Sequence, residues 1–149
     1  MTNRFSTFRE YFDHIQTIAF DSQVVENAWT AFRIVPPVSK WGGTIRCQEL
    51  RFRDGARLSF TEQVLIDRAS GVADRTAYRY HYESAAGDFF FRYDRDSQAC
   101  FDDLGNYRYD HPECHLHVND KSPRFMTHAT SFEEVWFFIV ASFYSQQER

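Results

Sequence analysis

The stretch "TAYRYHYESAAGDFFFRYDR", residues 76–95, decides the fold because its side chains alternate with the period of a β-strand. Its first half presents one set of aromatic residues to a common face: Tyr78, Tyr80 and Tyr82. Arg79 and His81 fall on the opposite face. After the turn residues "AAGD", the second half repeats the alternation, with Phe89, Phe91 and Tyr93 against Phe90, Arg92 and Asp94. The stretch therefore predicts an antiparallel β-hairpin with one apolar and one polar face.

A second hairpin is predicted upstream. The segments "TIRCQELRF" and "RLSFTEQVLI" flank Asp54-Gly55, a dipeptide that tolerates the positive φ of a tight turn. Weaker periodicity suggests one further strand in "VVENAWTAFRIV" and another in "PRFMTHA". The breaker-rich "VPPVSKWGG", residues 35–43, is interpreted as a loop.

Helices are predicted at both ends of the chain. Thr7 with Glu10, and Ser131 with Glu134, have the spacing of capping boxes. The first opens a helix over about residues 7–20, with an apolar face of Phe8, Phe12, Ile15 and Ala19. The second opens a C-terminal helix whose predicted buried face is Phe132, Val135, Trp136, Ile139 and Phe143. The expected fold class is α+β, a twisted antiparallel sheet with the N-terminal and C-terminal helices packed on one face.

Composition limits the kind of protein this is. At 149 residues with 43% hydrophobic side chains, residues 1–149 are expected to form a single domain. A formal charge of −4 lacks the basic excess of a dedicated DNA-binding domain. No run reaches the roughly 20 apolar residues of a membrane span, and residues 1–12 lack an apolar signal-peptide core. We therefore expect a cytoplasmic protein, whose three cysteines, in no CxxC pair, are reduced thiols.

The segment "DHPECHLHVND", residues 110–120, holds three of the six histidines. In a strand, His115 and His117 point to the same face, and Cys114, Leu116 and Val118 point to the other. The apolar set is expected to be core, and the imidazoles are expected on the open, solvated face. Three candidate partners lie on polar strand faces of the same predicted sheet: His81, Arg92 and Asp94.

Residues 52–137 resemble the TumE-type toxins of bacterial toxin–antitoxin pairs. The resemblance rests on a strand with Asp54-Gly55, the "YRYHY" and "FRYD" strands, the H-x-H at 115–117 and the S-x-E-E that opens the last helix. This chain departs from the family pattern in having Leu116 where the H-x-H usually carries lysine, Arg95 after the aspartate, and an insertion, "DSQACFDDLGNYRYD". Lys121 and Arg124 are nearby candidates to replace the positive charge.

The resemblance implies a growth-inhibiting toxin, controlled by a DNA-binding antitoxin with a helix-turn-helix domain and acting on RNA. Without any cofactor, one imidazole would take the proton of a ribose 2′-OH and the other would protonate the leaving 5′-oxygen. Arg92 would stabilise the phosphoryl charge, and His81 is a further candidate in the same site. Asp94 would orient one imidazole or raise its pKa. Tyr80 and Tyr93 are candidates to stack an RNA base, although core packing is the alternative interpretation for both.

Two other functions fit the same residues. His115 and His117, with His81 or His111, have the types and spacing of ligands for a divalent metal. Alternatively, the protein is a non-catalytic binding module whose aromatic surface meets a partner and whose histidines are incidental. Metal analysis tests the first alternative, and replacement of both histidines tests the second.

Overall fold

The computed structural model describes residues 3–145 of the chain and is α+β, as predicted. Its strands form one seven-stranded antiparallel sheet in which each strand pairs with the next along the sequence. The strands are β1 Phe32–Ser39, β2 Gly42–Arg51, β3 Arg57–Ile66, β4 Ala73–Glu83, β5 Phe90–Arg95, β6 Cys114–Val118 and β7 Phe125–Met126. A meander of this kind is built from local hairpins, and short turns with glycine are what the sequence supplies.

Both predicted hairpins are present. Strands β2 and β3 join through the Asp54-Gly55 turn, where Gly55 has a φ of +92° that a residue with a Cβ rarely adopts. Strands β4 and β5 pair with the predicted alternation. Strand β4 buries its three tyrosines, Tyr78, Tyr80 and Tyr82.

Two predictions for residues 24–43 were wrong. The segment expected to be a strand at residues 24–35 contains a short helix, α2 Ala28–Ala31, before β1 begins at Phe32. The segment expected to be a loop at 35–43 contains the rest of β1, the turn and the start of β2. The register of β1 on β2 is interrupted between Val35 and Ser39, which brackets the two prolines. Proline has no N–H to donate, and an edge strand such as β1 tolerates that loss.

The N-terminal helix, α1 Phe8–Asp21, begins where the capping box predicted. The Glu10 N–H donates to Thr7 Oγ1 at 3.1 Å, and the predicted apolar face is buried. The helix contacts the sheet through Tyr11, whose hydroxyl donates to Glu62 Oε1 of β3 at 2.7 Å. No helix described between residues 3 and 145 is long and apolar enough to cross a membrane.

The C-terminal helix, α3 Phe132–Ile139, is also capped as predicted, with the Glu134 N–H donating to Ser131 Oγ at 3.1 Å. Burial of Trp136 and Ile139 is confirmed. Burial of Phe143 was predicted wrongly: its side chain is 38% exposed. Residues Val140–Tyr144 continue as a π-helix, in which i and i+5 lie on one side, so Tyr144 takes the buried position instead.

Candidate active site

The sheet register brings four of the predicted site residues to one place. On β5 and β6, Arg92 lies directly opposite His117, and Asp94 lies directly opposite His115. Directly opposed residues of antiparallel strands point to the same face of the sheet. The four side chains therefore share a face, and any catalytic role for them stays a prediction.

The carboxylate of Asp94 is the centre of this group. Its Oδ2 accepts a hydrogen bond from Arg92 Nε at 2.9 Å. The same oxygen lies 3.5 Å from His115 Nε2 and 3.4 Å from His117 Nε2. Its Oδ1 accepts from Arg79 Nε at 3.0 Å. One buried carboxylate thus faces two imidazoles and two guanidinium groups.

Backbone carbonyls fix the orientation of both imidazole rings. His115 Nδ1 lies 2.7 Å from the Pro112 oxygen, and His117 Nδ1 lies 2.8 Å from the Lys121 oxygen. Because a carbonyl oxygen only accepts, each Nδ1 must carry the hydrogen. In the neutral form of either ring, the lone pair is therefore on Nε2, the atom that faces Asp94.

His117 is set up to be neutral. Burial lowers its pKa below the ordinary histidine value, and the adjacent Arg92 lowers it further, while Asp94 acts in the opposite direction. The Nη2 of Arg92 lies 3.1 Å from His117 Nε2, where the guanidinium donates to the ring nitrogen. A neutral His117 has a lone pair that can accept a proton once Arg92 moves to another acceptor.

The histidines are not on a solvated face, which corrects the sequence prediction. His115 and His117 are each only 2% exposed, whereas Val118, expected in the core, is 40% exposed. The alternation along β6 is as predicted, but the segment that follows β5 covers the imidazole face. It contributes four residues to the wall around the histidines: Asp96, Ser97, Gln98 and His111.

These walls enclose an open-mouthed cavity of about 550 Å³. Its charged and histidine lining is Arg79, Arg92, Arg95, Arg124, Asp94, Asp96, His111, His115 and His117. Within residues 3–145, two polar atoms of this wall, His111 Nδ1 and Arg124 Nε, are buried without a hydrogen-bond partner. An arginine-rich cavity in an acidic chain is suited to an anionic ligand.

Sequence reasoning missed Arg79 as a site residue. Arg79 lies opposite Asp94 in the β4–β5 register and bonds its carboxylate. The signal was present, since Arg79 lies on the polar face of β4, but alternation alone does not show which residue of the next strand lies opposite.

Several predicted site residues lie elsewhere. His81 is opposite Arg92 in register, but its ring stacks on Phe90 with centroids 5.1 Å apart and does not line the cavity. Lys121 has an exposed side chain and contacts the site through its carbonyl oxygen alone. Arg124, the other candidate to replace the positive charge of the family's lysine, does line the cavity.

The two tyrosines proposed for base stacking belong to the core side of the sheet. Tyr80 is fully buried, and its hydroxyl bonds to the Glu62 carboxylate. Tyr93 is partly buried against the core, with its ring edge-on to Phe91 at 5.7 Å. Base stacking on Tyr80 would require the core to open, so core packing is the correct interpretation for that residue.

Asp94, His115 and His117 also have the arrangement of metal ligands. One ligand atom from each lies within 4.8 Å of the others. However, the Arg92 guanidinium bonds both the Asp94 carboxylate and His117 Nε2, which are the lone pairs that a metal would need. A fixed cation in that position disfavours a divalent ion by repulsion. His111 lies beside His115, with ring centroids 4.9 Å apart, but it is not one of these three candidate ligands.

Comparison with known proteins identifies one family. Comparisons with curated proteins and with solved structures gave no match. The family model described as Toxin TumE matches residues 20–143, which extends the resemblance beyond 52–137 to include β1 and β2. Because the match covers most of the sequence, the chain belongs to the TumE toxin family.

Proposed function

We propose that this toxin-family protein inhibits growth by cleaving RNA without a metal, with His115 and His117 as the base and acid pair. The observation that carries the proposal is the convergence of two buried imidazole Nε2 atoms on one carboxylate, inside a cavity rich in arginine. Acid–base cleavage of RNA needs two proton-transfer groups within reach of one phosphodiester, and the closeness of the two Nε2 atoms supports these histidines as the candidates.

The contacts support different roles for the two histidines. His117 is the proposed base: its pKa is lowered, and its Nε2 accepts from Arg92, so the ring is neutral. It would take the proton of a ribose 2′-OH as that oxygen attacks the phosphorus. His115 is the proposed acid, because it supplies the second Nε2 of the cavity, 3.5 Å from Asp94 Oδ2, and the base role is assigned to His117. It would pass a proton from Nε2 to the 5′-oxygen as the P–O5′ bond breaks, leaving a 2′,3′-cyclic phosphate and a 5′-hydroxyl.

Arginines would stabilise the charge that builds on the phosphoryl oxygens. Arg92 is hydrogen-bonded to His117 through Nη2 and to Asp94 through Nε, and an entering phosphate would take over the Nη2 donor and release the His117 lone pair. Arg124 has a buried Nε with no partner among the described residues and would bind a second oxygen. Asp94 acts as a positioning residue that holds Arg92 and the acid.

We also propose that both long helices cover one face of the sheet and leave the histidine face for the substrate. Phe60 and Glu62 of β3 are two residues apart and point to the same face. Phe132 of α3 packs on Phe60 with ring centroids 5.1 Å apart, and Tyr11 of α1 bonds Glu62. The residue between them, Thr61, lines the histidine cavity from the opposite face.

The proposed partner is an antitoxin that carries a helix-turn-helix DNA-binding domain, and the proposed site of action is the cytoplasm, where RNA is available. Membership of the toxin family supports an antitoxin partner in general terms. A small adjacent reading frame encoding a helix-turn-helix protein would support this form of the pair, and its absence would count against it.

A metal-dependent function is the second candidate, since Asp94, His115 and His117 are close enough to ligate one ion. Both candidates need the histidines, so alanine variants alone do not separate them. A non-catalytic binding module would differ from both, because its effect on cells would survive replacement of His115 and His117.

Growth arrest in bacteria tests the proposal. Wild-type protein expressed without antitoxin should arrest growth and deplete RNA, and His115→Ala or His117→Ala should relieve the arrest. His128→Ala is the matched control, because His128 is exposed and bonds Glu134 outside the cavity. Arrest that persists in both site variants, at wild-type protein levels, would remove the nuclease assignment in favour of the binding module.

A further inference from the structure

We propose that the RNA is held as an extended single strand along a track that crosses the open face of the sheet, from the histidine cavity over Arg79 to Arg46 and Arg33. This inference deepens the proposed function and rests on it for the identity of the ligand. Arg33 and Arg46 lie outside the cavity and have no place in the chemistry described above.

The strand register aligns the track. Each of six successive strands contributes one residue directly opposite its neighbour, in the order Arg33, Arg46, Thr61, Arg79, Asp94 and His115. Opposed residues of antiparallel strands share a face. The row therefore lies on the histidine face from one end to the other, and it leads from the free edge at β1 to the proposed acid.

A surface depression links the row to the cavity. The depression has a volume of about 240 Å³, and its polar lining is Arg46, Gln48, Ser59, Thr61, Arg79 and His81. Thr61 and Arg79 also line the histidine cavity, so the two spaces meet at these side chains. Among the described residues, no carboxylate lines the depression. His81, which is outside the catalytic group, is placed to contact a base here.

The charge of the row fits a polyanion. Arg33 and Arg46 are exposed, and in the described part of the chain neither has a carboxylate within 4.0 Å. The neighbouring acidic residues Glu49 and Glu83 are engaged by Arg57, at 4.0 and 3.0 Å. Unpaired arginines on one face of a chain with a net charge of −4 would draw phosphates to that face.

The dimensions favour a single strand over a folded or small ligand. Neighbouring strands lie about 4.8 Å apart, so Arg46 is roughly 10 Å from Arg79 across the sheet, and Arg33 roughly 5 Å further. A row of this length contacts several consecutive phosphates, and an open sheet surface is a common platform for single-stranded RNA.

RNA binding by a cleavage-deficient protein tests the track. The full chain carrying His115→Ala and His117→Ala is titrated into a labelled single-stranded RNA of about 12 nucleotides, over a range of salt concentrations. Each phosphate contact contributes about 0.7 to the slope of log affinity against log salt for a single strand. Adding Arg33→Ala and Arg46→Ala should lower that slope by about 1.4 and weaken binding.

The matched comparison uses two single changes, Arg33→Ala and Arg68→Ala, each of which removes one exposed arginine. Arg68 is the control, because its guanidinium lies over the Trp41 ring and away from the track. Arg68→Ala should leave the slope unchanged. The track would be overturned if Arg68→Ala changed the slope as much as Arg33→Ala does. It would also be overturned if Arg33→Ala and Arg46→Ala left the slope unchanged, or if the protein bound no RNA.

Cleavage of a dinucleotide separates the track from the chemistry, because this substrate has one phosphodiester and does not reach Arg46 or Arg33. With His115 and His117 intact, the chain carrying Arg33→Ala and Arg46→Ala should cleave the dinucleotide as the wild type does, while its KM for the longer RNA rises. Dinucleotide cleavage with an unchanged binding slope would remove the track and keep the nuclease. Slope changes without any cleavage by wild type would keep the track and remove the nuclease.

Discussion

Replacing Trp136 by alanine should strongly destabilise the fold. Trp136 is 1% exposed, and its ring stacks on Phe52 and Phe132 with centroids 5.5 and 5.7 Å away. Burying an aromatic side chain removes about 150–250 Å² from water, which corresponds to about 4–6 kcal/mol at 25 cal/mol per Å². Alanine retains part of that burial, so the expected loss in the free energy of unfolding is about 3–5 kcal/mol.

Urea unfolding followed by far-ultraviolet circular dichroism measures this loss without relying on tryptophan fluorescence. Phe137→Ala is the matched control at the adjacent position of the same helix, since Phe137 is 61% exposed. It should change the free energy of unfolding by about 0.5 kcal/mol or less. A loss below about 1 kcal/mol for Trp136→Ala, or equal losses for the two variants, would show that α3 does not pack on the sheet through this face.

Three further predictions concern the π-helix and the site. Tyr144→Phe removes two hydrogen bonds of the hydroxyl, each 3.0 Å long, to Asp54 Oδ1 and to the Tyr82 hydroxyl, and the free energy of unfolding should fall by about 1–3 kcal/mol; an unchanged value would contradict the buried role of the π-helix. Because the pKa of His117 is lowered in the fold, the unfolded chain binds its proton more tightly, so stability should fall as pH drops below the unfolded value near 6.5. The fall in the free energy of unfolding at low pH should be smaller in His117→Ala than in His128→Ala. Urea unfolding that gives the same pH dependence for the two variants would refute this prediction. Asp94 raises the pKa of His117, so Asp94→Asn should move the acidic limb of the plot of kcat/KM against pH to lower pH. An acidic limb that stays at the wild-type pH would exclude His117 as the base.

The two hairpins and the helix caps followed from the sequence because they depend on local patterns, whereas the order of the strands in the sheet did not. Period-two alternation around "YRYHY" and "FRYD" fixed the faces of β4 and β5, and the capping boxes at Thr7 and Ser131 fixed two helix starts. Predictions from local patterns were wrong where tertiary contacts determine the structure. Pro36 and Pro37 lie within β1 because that strand is at the edge, and Phe143 is exposed because the helix widens into a π-helix.

The site followed from the sequence only in part. Alternation placed His115 and His117 together, and the sheet order brought Arg92 and Asp94 opposite them. Their burial depends on how residues 96–112 fold back over the sheet, and an insertion with no period carries little signal for that. The cavity position of His111 depends on the same segment, whereas the exclusion of His81 goes with the stacking of its ring on Phe90.

Cleavage of RNA by the purified protein in the presence of a chelator tests the central claim most directly. Protein made without a histidine tag should cut single-stranded RNA to 2′,3′-cyclic phosphate ends at the same rate with and without EDTA. His115→Ala and His117→Ala should each reduce that rate by about 10²- to 10⁴-fold, and the double variant should be little slower than the more damaging single one, because the two groups act as a unit. Cleavage that is lost in EDTA and restored by a divalent metal would contradict the account in favour of the metal site at Asp94, and no cleavage by the wild type would contradict the nuclease altogether.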